Sequence, residues 1–282
     1  MKRPASLIAA LSVVAGASVF ALSGAIAGAS SASATGALPT IALAMDGKSI
    51  TVTGTPQSGA VTIASTTTGE PQGQPMLVRL NPGASFGQAF GAVGAHRGDP
   101  NYFDPYGAIV FDTSAPKGTS SAQTSLQPGS YVALDTVGNN PARWPHASFT
   151  VTQAAAPASL PAAQASVKAI EFGFRGPGAL HNGQVVRVQN DGFLVHMVDG
   201  IGVKNAAAAG KLTALLRAGK DKQAQRLATG FVSFAGPVSQ GAMQQQVLHA
   251  KPGMYVLVCF MDTQDGREHT RLGMERTIRI LK

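Results

Sequence analysis

Tyr255-Val-Leu-Val-Cys259-Phe260, continued by Met261-Asp-Thr-Gln-Asp-Gly-Arg-Glu-His269-Thr-Arg-Leu-Gly-Met274, is the stretch on which the reading of this chain turns. The apolar run reads as a buried strand. Asp265-Gly266 is a turn signal, and a strand pattern returns over Glu275 to Leu281. Strand, loop and strand place Cys259 at the end of one strand and Met274 at the start of the next, with His269 on the loop between them. The chain has one cysteine, so no internal disulfide can form. The thiol is free, paired with another molecule, or bound to something. Thiolate, imidazole and thioether together are the soft ligand set that copper prefers. A fourth ligand must come from elsewhere. His196, in the apolar run Phe193-Leu-Val-His-Met-Val198, is the natural candidate. Each residue also has an ordinary explanation. Tyr255, Leu257 and Cys259 share one strand face, and free cysteine is among the most buried residue types. Taken together, four such residues at strand ends favour a metal site. Zinc is the less favoured ion: it could use His196, Cys259 and His269, ignore Met274 and keep an open position.

Working outward, Ala154-Ala-Ala-Pro-Ala-Ser-Leu-Pro-Ala-Ala163 carries no charge and reads as a semi-rigid, exposed linker. It divides the chain into an N-terminal β-sandwich domain, 35–153, without copper ligands, and a C-terminal domain, 164–282. In the first domain, runs such as Ala60-Val-Thr-Ile-Ala64 and Ser130-Tyr-Val-Ala-Leu134 alternate with turn residues, as in a sandwich or small barrel. Phe86, Phe90, Tyr102, Phe103 and Tyr106 lie in a long connection. The second domain opens with strands at 167–172, 184–189 and 193–198. It then changes period over 206–228, where Leu212, Leu215, Leu216 and Leu227 have helical spacing and Gly219 predicts a break.

The two halves also resemble one another. Gln127-Pro-Gly-Ser-Tyr-Val-Ala-Leu-Asp135 aligns with Lys251-Pro-Gly-Met-Tyr-Val-Leu-Val-Cys259. Met76-Leu-Val-Arg-Leu80 aligns with Phe193-Leu-Val-His-Met197, and Ser58-Gly59 with Asn182-Gly183. This alignment puts Asp135 at the place of Cys259 and Arg79 at the place of His196, so the first copy lacks the metal-binding residues.

Lys2 and Arg3, an apolar stretch and Ala32-Ser33-Ala34 read as a signal peptide over 1–34, and hence as export to an extracellular, periplasmic or cell-wall location. No later stretch is long and apolar enough to span a bilayer. Removing the signal lowers the net charge from +8 to about +6. Residues 35–153 carry five Lys/Arg against six Asp/Glu, and 164–282 carry fifteen against eight. Lys211, Arg217, Lys220, Lys222 and Arg226 make the helical segment basic. It reads as a solvated face, or as a docking surface for an acidic redox partner or an anionic cell surface. Nucleic acid is not expected of an exported chain without interleaved aromatics. Gly173-Phe-Arg-Gly-Pro-Gly178 lacks the Lys-Ser/Thr of a phosphate loop, and a serine elbow is also missing. No enzyme activity is implied.

The order of Cys259, His269 and Met274, with His196 far upstream and Gly273-Met274 closing the loop, resembles the ligand order of cupredoxins. The resemblance covers roughly 167–282. The loop is longer than in plastocyanin-type members and closer to that of the copper domain of nitrite reductases. Pro252 to Phe260, Asp265-Gly, His269 and Gly273-Met274, with a helical insertion before the last strands, also resemble a group of exported bacterial cupredoxin-like proteins. Val195 and Met197 flank His196 where no Asn or Pro marks it as a ligand. The resemblance implies an all-β fold of two cupredoxin-like Greek-key sandwiches, the second with a short helical insertion. It also implies one type 1-like copper ion held by His196, Cys259, His269 and Met274 for electron transfer or copper handling. The alternative is a metal-free cupredoxin-like module acting through surface contacts.

Overall fold

Short β-branched runs broken by glycine, proline and aspartate fold as predominantly antiparallel sheets. The computed structural model describes residues 37–282 apart from Arg97 and Asn139, so the expected signal segment 1–34 lies outside the described residues. The N-terminal half contains β1 (Thr40–Met45), β2 (Ile50–Gly54), β3 (Gly59–Gly73), β4 (Pro75–Leu80), α1 (Phe86–Ala95), β5 (Gly107–Asp112), β6 (Ala115–Leu126), β7 (Gly129–Asp135) and β8 (His146–Val151). The C-terminal half contains β9 (Ala165–Ile170), β10 (Gly173–Arg175), β11 (Ala179–His181), β12 (Val185–Asn190), β13 (His196–Val203), α2 (Ala206–Arg217) and α3 (Asp221–Gln225). It ends with β14 (Ala228–Val238), β15 (Met243–Val247), β16 (Gly253–Val258) and β17 (Glu275–Leu281).

The sheets repeat. Strands β5-β4-β7-β8 form one sheet, and β14-β13-β16-β17, extended by β11, form its counterpart. Facing them, β2-β1-β3-β6 has its counterpart in β10-β9-β12-β15. The parallel pair β1–β3 is matched by the parallel pair β9–β12. Helices interrupt both copies at the same place, α1 between β4 and β5 and α2–α3 between β13 and β14. The last strands of the two facing sheets meet, β6 against β15, so these sheets join into one of eight strands.

The repeat extends to single hydrogen bonds. The Tyr131 hydroxyl donates to the carbonyl of Gln127 at 2.8 Å, and that of Tyr255 to the carbonyl of Lys251 at 2.9 Å. One alignment made from sequence needs correcting. Arg79 pairs with Tyr131, whereas Tyr255 pairs with Gly202. Arg79 therefore corresponds to Gly202 and not to His196. Two apolar runs of similar composition mimic one another when slid past each other, and only the strand pairing sets the offset.

Each half buries its own apolar layer. Ile41, Leu43, Ile63, Leu77, Phe111 and Tyr131 fill the first. Val167, Val188, Met197, Phe234, Leu257 and Ile278 fill the second. A third cluster runs across the junction, bringing Met76, Ile109 and Leu134 against Val195 and Val238. Segment 154–163 lies along both halves. Its Ala158 carbonyl accepts from the Ala60 N–H at 2.8 Å, and its Pro161 carbonyl accepts from Arg187 at 2.7 Å. The aromatic-rich connection is partly helical. Ser85 and Gln88 form a capping box that starts α1. Asn205 caps α2, and Gly219, at a φ of +65°, separates it from α3 at the expected break.

Candidate metal centre

His196 opens β13, and Cys259 directly follows β16, the strand paired with β13. This antiparallel pairing places the imidazole and thiol at the same end of the sheet. The long loop after Cys259 is folded on itself. Thr263 and Arg267 are joined by a backbone hydrogen bond of 2.8 Å, and Asp262 pairs with Glu268 in an isolated bridge. The His269 N–H donates to the Met261 carbonyl at 2.8 Å, so the second imidazole is returned to within two residues of the thiol's own strand end. His269 starts a short 3-10 turn, His269–Leu272. Gly273, at a φ of +90°, closes the turn, and the Met274 N–H donates to the His269 carbonyl at 3.0 Å.

His196, Cys259, His269 and Met274 are all fully buried. The two Nδ1 atoms are 3.2 Å apart, and the Cys259 sulfur is 3.3 Å from Nδ1 of His269 and 3.8 Å from Nδ1 of His196. A point equidistant from three atoms with those separations lies about 2.0 Å from each, near a metal–imidazole bond length of about 2.0–2.1 Å. The spacing of His196, Cys259 and His269 thus suits a metal ion among the three atoms. Met274 belongs to the same buried cluster as Cys259. The Met197 N–H donates to the cysteine sulfur at 3.4 Å and fixes its direction. Asn101, from the N-terminal half, braces the site: its side chain accepts from the Val195 N–H at 2.7 Å and donates to the Asp262 carbonyl at 3.0 Å.

Burial keeps all three polar groups neutral in the metal-free protein. It pushes the Cys259 thiol up to about 12, reinforced by Asp199 and Glu268 and opposed by the N–H groups of Met197 and Met261. It pushes His196 down to about 4, with Glu171 opposing, and His269 to about 3, with His196 adding to the effect. A divalent ion entering the pocket must displace the thiol proton, and the thiolate then supplies its one negative charge. The Nε2 atoms of both histidines are buried without hydrogen-bond partners. Each ring therefore turns Nδ1 towards the thiol and leaves Nε2 facing outward from the cluster.

Two neighbours were not evident in the sequence. Glu171 approaches Nε2 of His196 at 3.8 Å, and the Phe172 ring meets His269 edge-on, with centroids 5.4 Å apart. Both come from the turn between β9 and β10, where only a strand end was expected. Lys211, Arg217, Lys220, Lys222 and Arg226 are exposed on the helical insertion and do not enter the cluster. Arg217 pairs with Glu275, the residue after Met274, so the basic segment lies beside the ligand loop. The corresponding corner of the N-terminal half holds Asp135, whose carboxylate accepts the Gln74 N–H at 2.9 Å, as the cysteine sulfur accepts that of Met197. Among the described residues, His196, Cys259 and His269 are the one group of three or more metal-binding side chains. His96 stacks on Tyr102 and His146 on Phe86.

The C-terminal sandwich is cupredoxin-like in the order of these residues, one histidine upstream and then cysteine, histidine and methionine around one loop. No protein-family model and no curated protein sequence matches the chain. Solved structures similar to it include reduced auracyanin from Roseiflexus castenholzii, 14% identical over 42% of this chain and 95% of that one, at a TM-score of 0.25. A multicopper oxidase is 12% identical over 86% of this chain and 87% of its own, also at 0.25. The copper nitrite reductase of Nitrosomonas europaea is 12% identical over 86% and 93%, at 0.21. The overlaps are loose, and the architecture stands on this chain's own strand order.

Proposed function

We propose that the chain is an exported cupredoxin-like protein that binds one type 1-like copper ion through His196, Cys259, His269 and Met274, for electron transfer or copper handling. The observation that carries this reading is the buried triangle of two Nδ1 atoms and one sulfur, set at metal-binding separations. Copper held by His196, Cys259, His269 and Met274 would supply one-electron redox chemistry, and the thioether would tune its potential. The chain's residues supply the rest. His196 and His269 present Nδ1, the Met197 N–H holds the sulfur, and the apolar cluster around Cys259 and Met274 keeps water out. The exposed basic face of α2–α3, beside the ligand loop, suits an acidic redox partner or an anionic cell surface, where it would act mainly on association rate.

Titration with Cu(II) tests the reading. One equivalent should produce an intense visible absorption in the native protein and none in Cys259→Ser. Colourless, stoichiometric uptake of zinc alone would point to the zinc alternative. Substoichiometric metal under both oxidising and reducing conditions would leave the metal-free surface module. One observation favours that last reading: burial leaves the site uncharged, so its groups can remain buried without an ion.

A further inference from the structure

Glu171 and Phe172 form the two-residue connection between β9 and β10, whose pairing begins with Gly173 opposite Ile170. Such a turn normally gives its positive-φ position to glycine or asparagine. Here Phe172 has a φ of +55°, and among the described residues no other non-glycine residue has a positive φ. A β-carbon in that region crowds the following carbonyl oxygen. Backbone strain of this kind is retained where surrounding structure over-determines it. What the turn delivers is one side chain to each imidazole: Phe172 to His269 and Glu171 to His196.

The space between Glu171 and His196 is kept open by Gly192. A β-carbon at that position would lie 2.6 Å from Oε1 of Glu171 and 2.7 Å from Nε2 of His196. The same Oε1 accepts the N–H of Phe193, and the N–H of Leu194 at 3.2 Å, so it also anchors the chain leading into His196. A neutral imidazole whose Nδ1 binds a metal carries its hydrogen on Nε2. A buried N–H requires an acceptor, and that of His196 has none at hydrogen-bond distance. The Glu171 carboxylate stands in front of it at 3.8 Å.

We propose that Glu171 is a positioning residue for His196: its carboxylate, held by the strained Glu171–Phe172 turn, closes onto Nε2–H and fixes the tautomer that presents Nδ1 to the metal. This rests on the copper reading of the site. Outer partners of this kind orient metal-bound histidines and raise their basicity.

The test compares Glu171→Ala and Glu171→Gln with the native protein. In the metal-free protein, 15N NMR of the His196 ring reads its tautomer. Native protein should show hydrogen on Nε2, and Glu171→Ala should mix the two forms. Copper affinity should fall about 10- to 100-fold in Glu171→Ala. Glu171→Gln keeps an acceptor and the loop anchors, so its affinity should return towards native. Its potential should nevertheless move positive, because a negative charge beside the ligand ring is lost. That shift follows from the charge alone; a purely structural role for Glu171 would leave the His196 tautomer of Glu171→Ala unchanged. Failure of native protein to bind copper overturns the copper reading. An unchanged His196 tautomer in Glu171→Ala overturns the positioning role, whatever the metal does.

Discussion

Cys259 and Met274 contribute unequally to a site of this kind. A thiolate is a strong, charged ligand, while the thioether is long and weak. Met274→Leu conserves volume, so it should cost less than about 1.5 kcal/mol in stability, as read by denaturant melts. Its visible copper absorption should survive while its reduction potential, measured by voltammetry, shifts. Gly192→Ala is different, because its β-carbon would press on both His196 and Glu171. The expected loss is about 1–3 kcal/mol of stability, together with weaker copper binding. Cys259 and His269 were legible in the sequence because residue chemistry and loop spacing lie within one short segment. Glu171 and Phe172 were not, because a glutamate and a phenylalanine at a strand end carry no local mark of what they will face.

At the scale of elements, the β9–β10 hairpin offers a direct comparison. Phe172→Gly and Phe172→Ala both remove the ring from His269, but only alanine keeps a β-carbon at a φ of +55°. The alanine variant should be less stable than the glycine variant by about 1–2 kcal/mol in chemical denaturation. The helical insertion was readable from its leucine spacing and from Gly219. By contrast, β6 was not. Its sequence, Ala115-Pro-Lys-Gly-Thr-Ser-Ser-Ala-Gln-Thr-Ser-Leu126, is small and polar, with Pro and Gly. Strand propensity depends on neighbours more than on intrinsic preference. Here β3 pairs with it along most of its length, and β15 takes the other edge.

At the scale of the molecule, the halves are joined by more than a linker. The Gln244 side chain donates to the Asp112 carbonyl at 2.8 Å and accepts the Asp112 N–H at 3.1 Å. A β-carbon on Gly236 would fall 2.0 Å from Oδ1 of Asp112, so Gly236→Ala should destabilise by about 1–3 kcal/mol or more in thermal or chemical unfolding. The buried carboxyls also predict a pH dependence. Burial pushes Asp199 up to about 7, with Ser233 opposing, and raises Asp112 well above the usual range, with Asp199 adding to it. Unfolded, both would be ionised above about pH 5. From pH 6.5 to 8 the folded state therefore holds more protons than the unfolded state, and stability falls as pH rises. The slope is at most about 1.4 kcal/mol per pH unit for each such proton. Urea midpoints of metal-free protein should decrease across that range, and Asp199→Asn should flatten the trend. The buried histidines oppose this trend at the lower end of the window, because they are neutral in the folded state while the unfolded chain still binds part of their protons near pH 6.5, so the fall should be clearest from about pH 7 to 8.

By itself, the sequence determined the sheet-rich character, the duplicated Pro-Gly-x-Tyr strand, the helical insertion and the order of the four candidate ligands. Each is written in spacing or composition over a few tens of residues. The tertiary structure alone decided that His196 reaches Cys259, that Arg79 does not correspond to His196, that Glu171 and Phe172 back the two imidazoles, and that β6 and β15 fuse the two sheets. These depend on strand register, which joins residues far apart in the chain and is set by packing across a whole face.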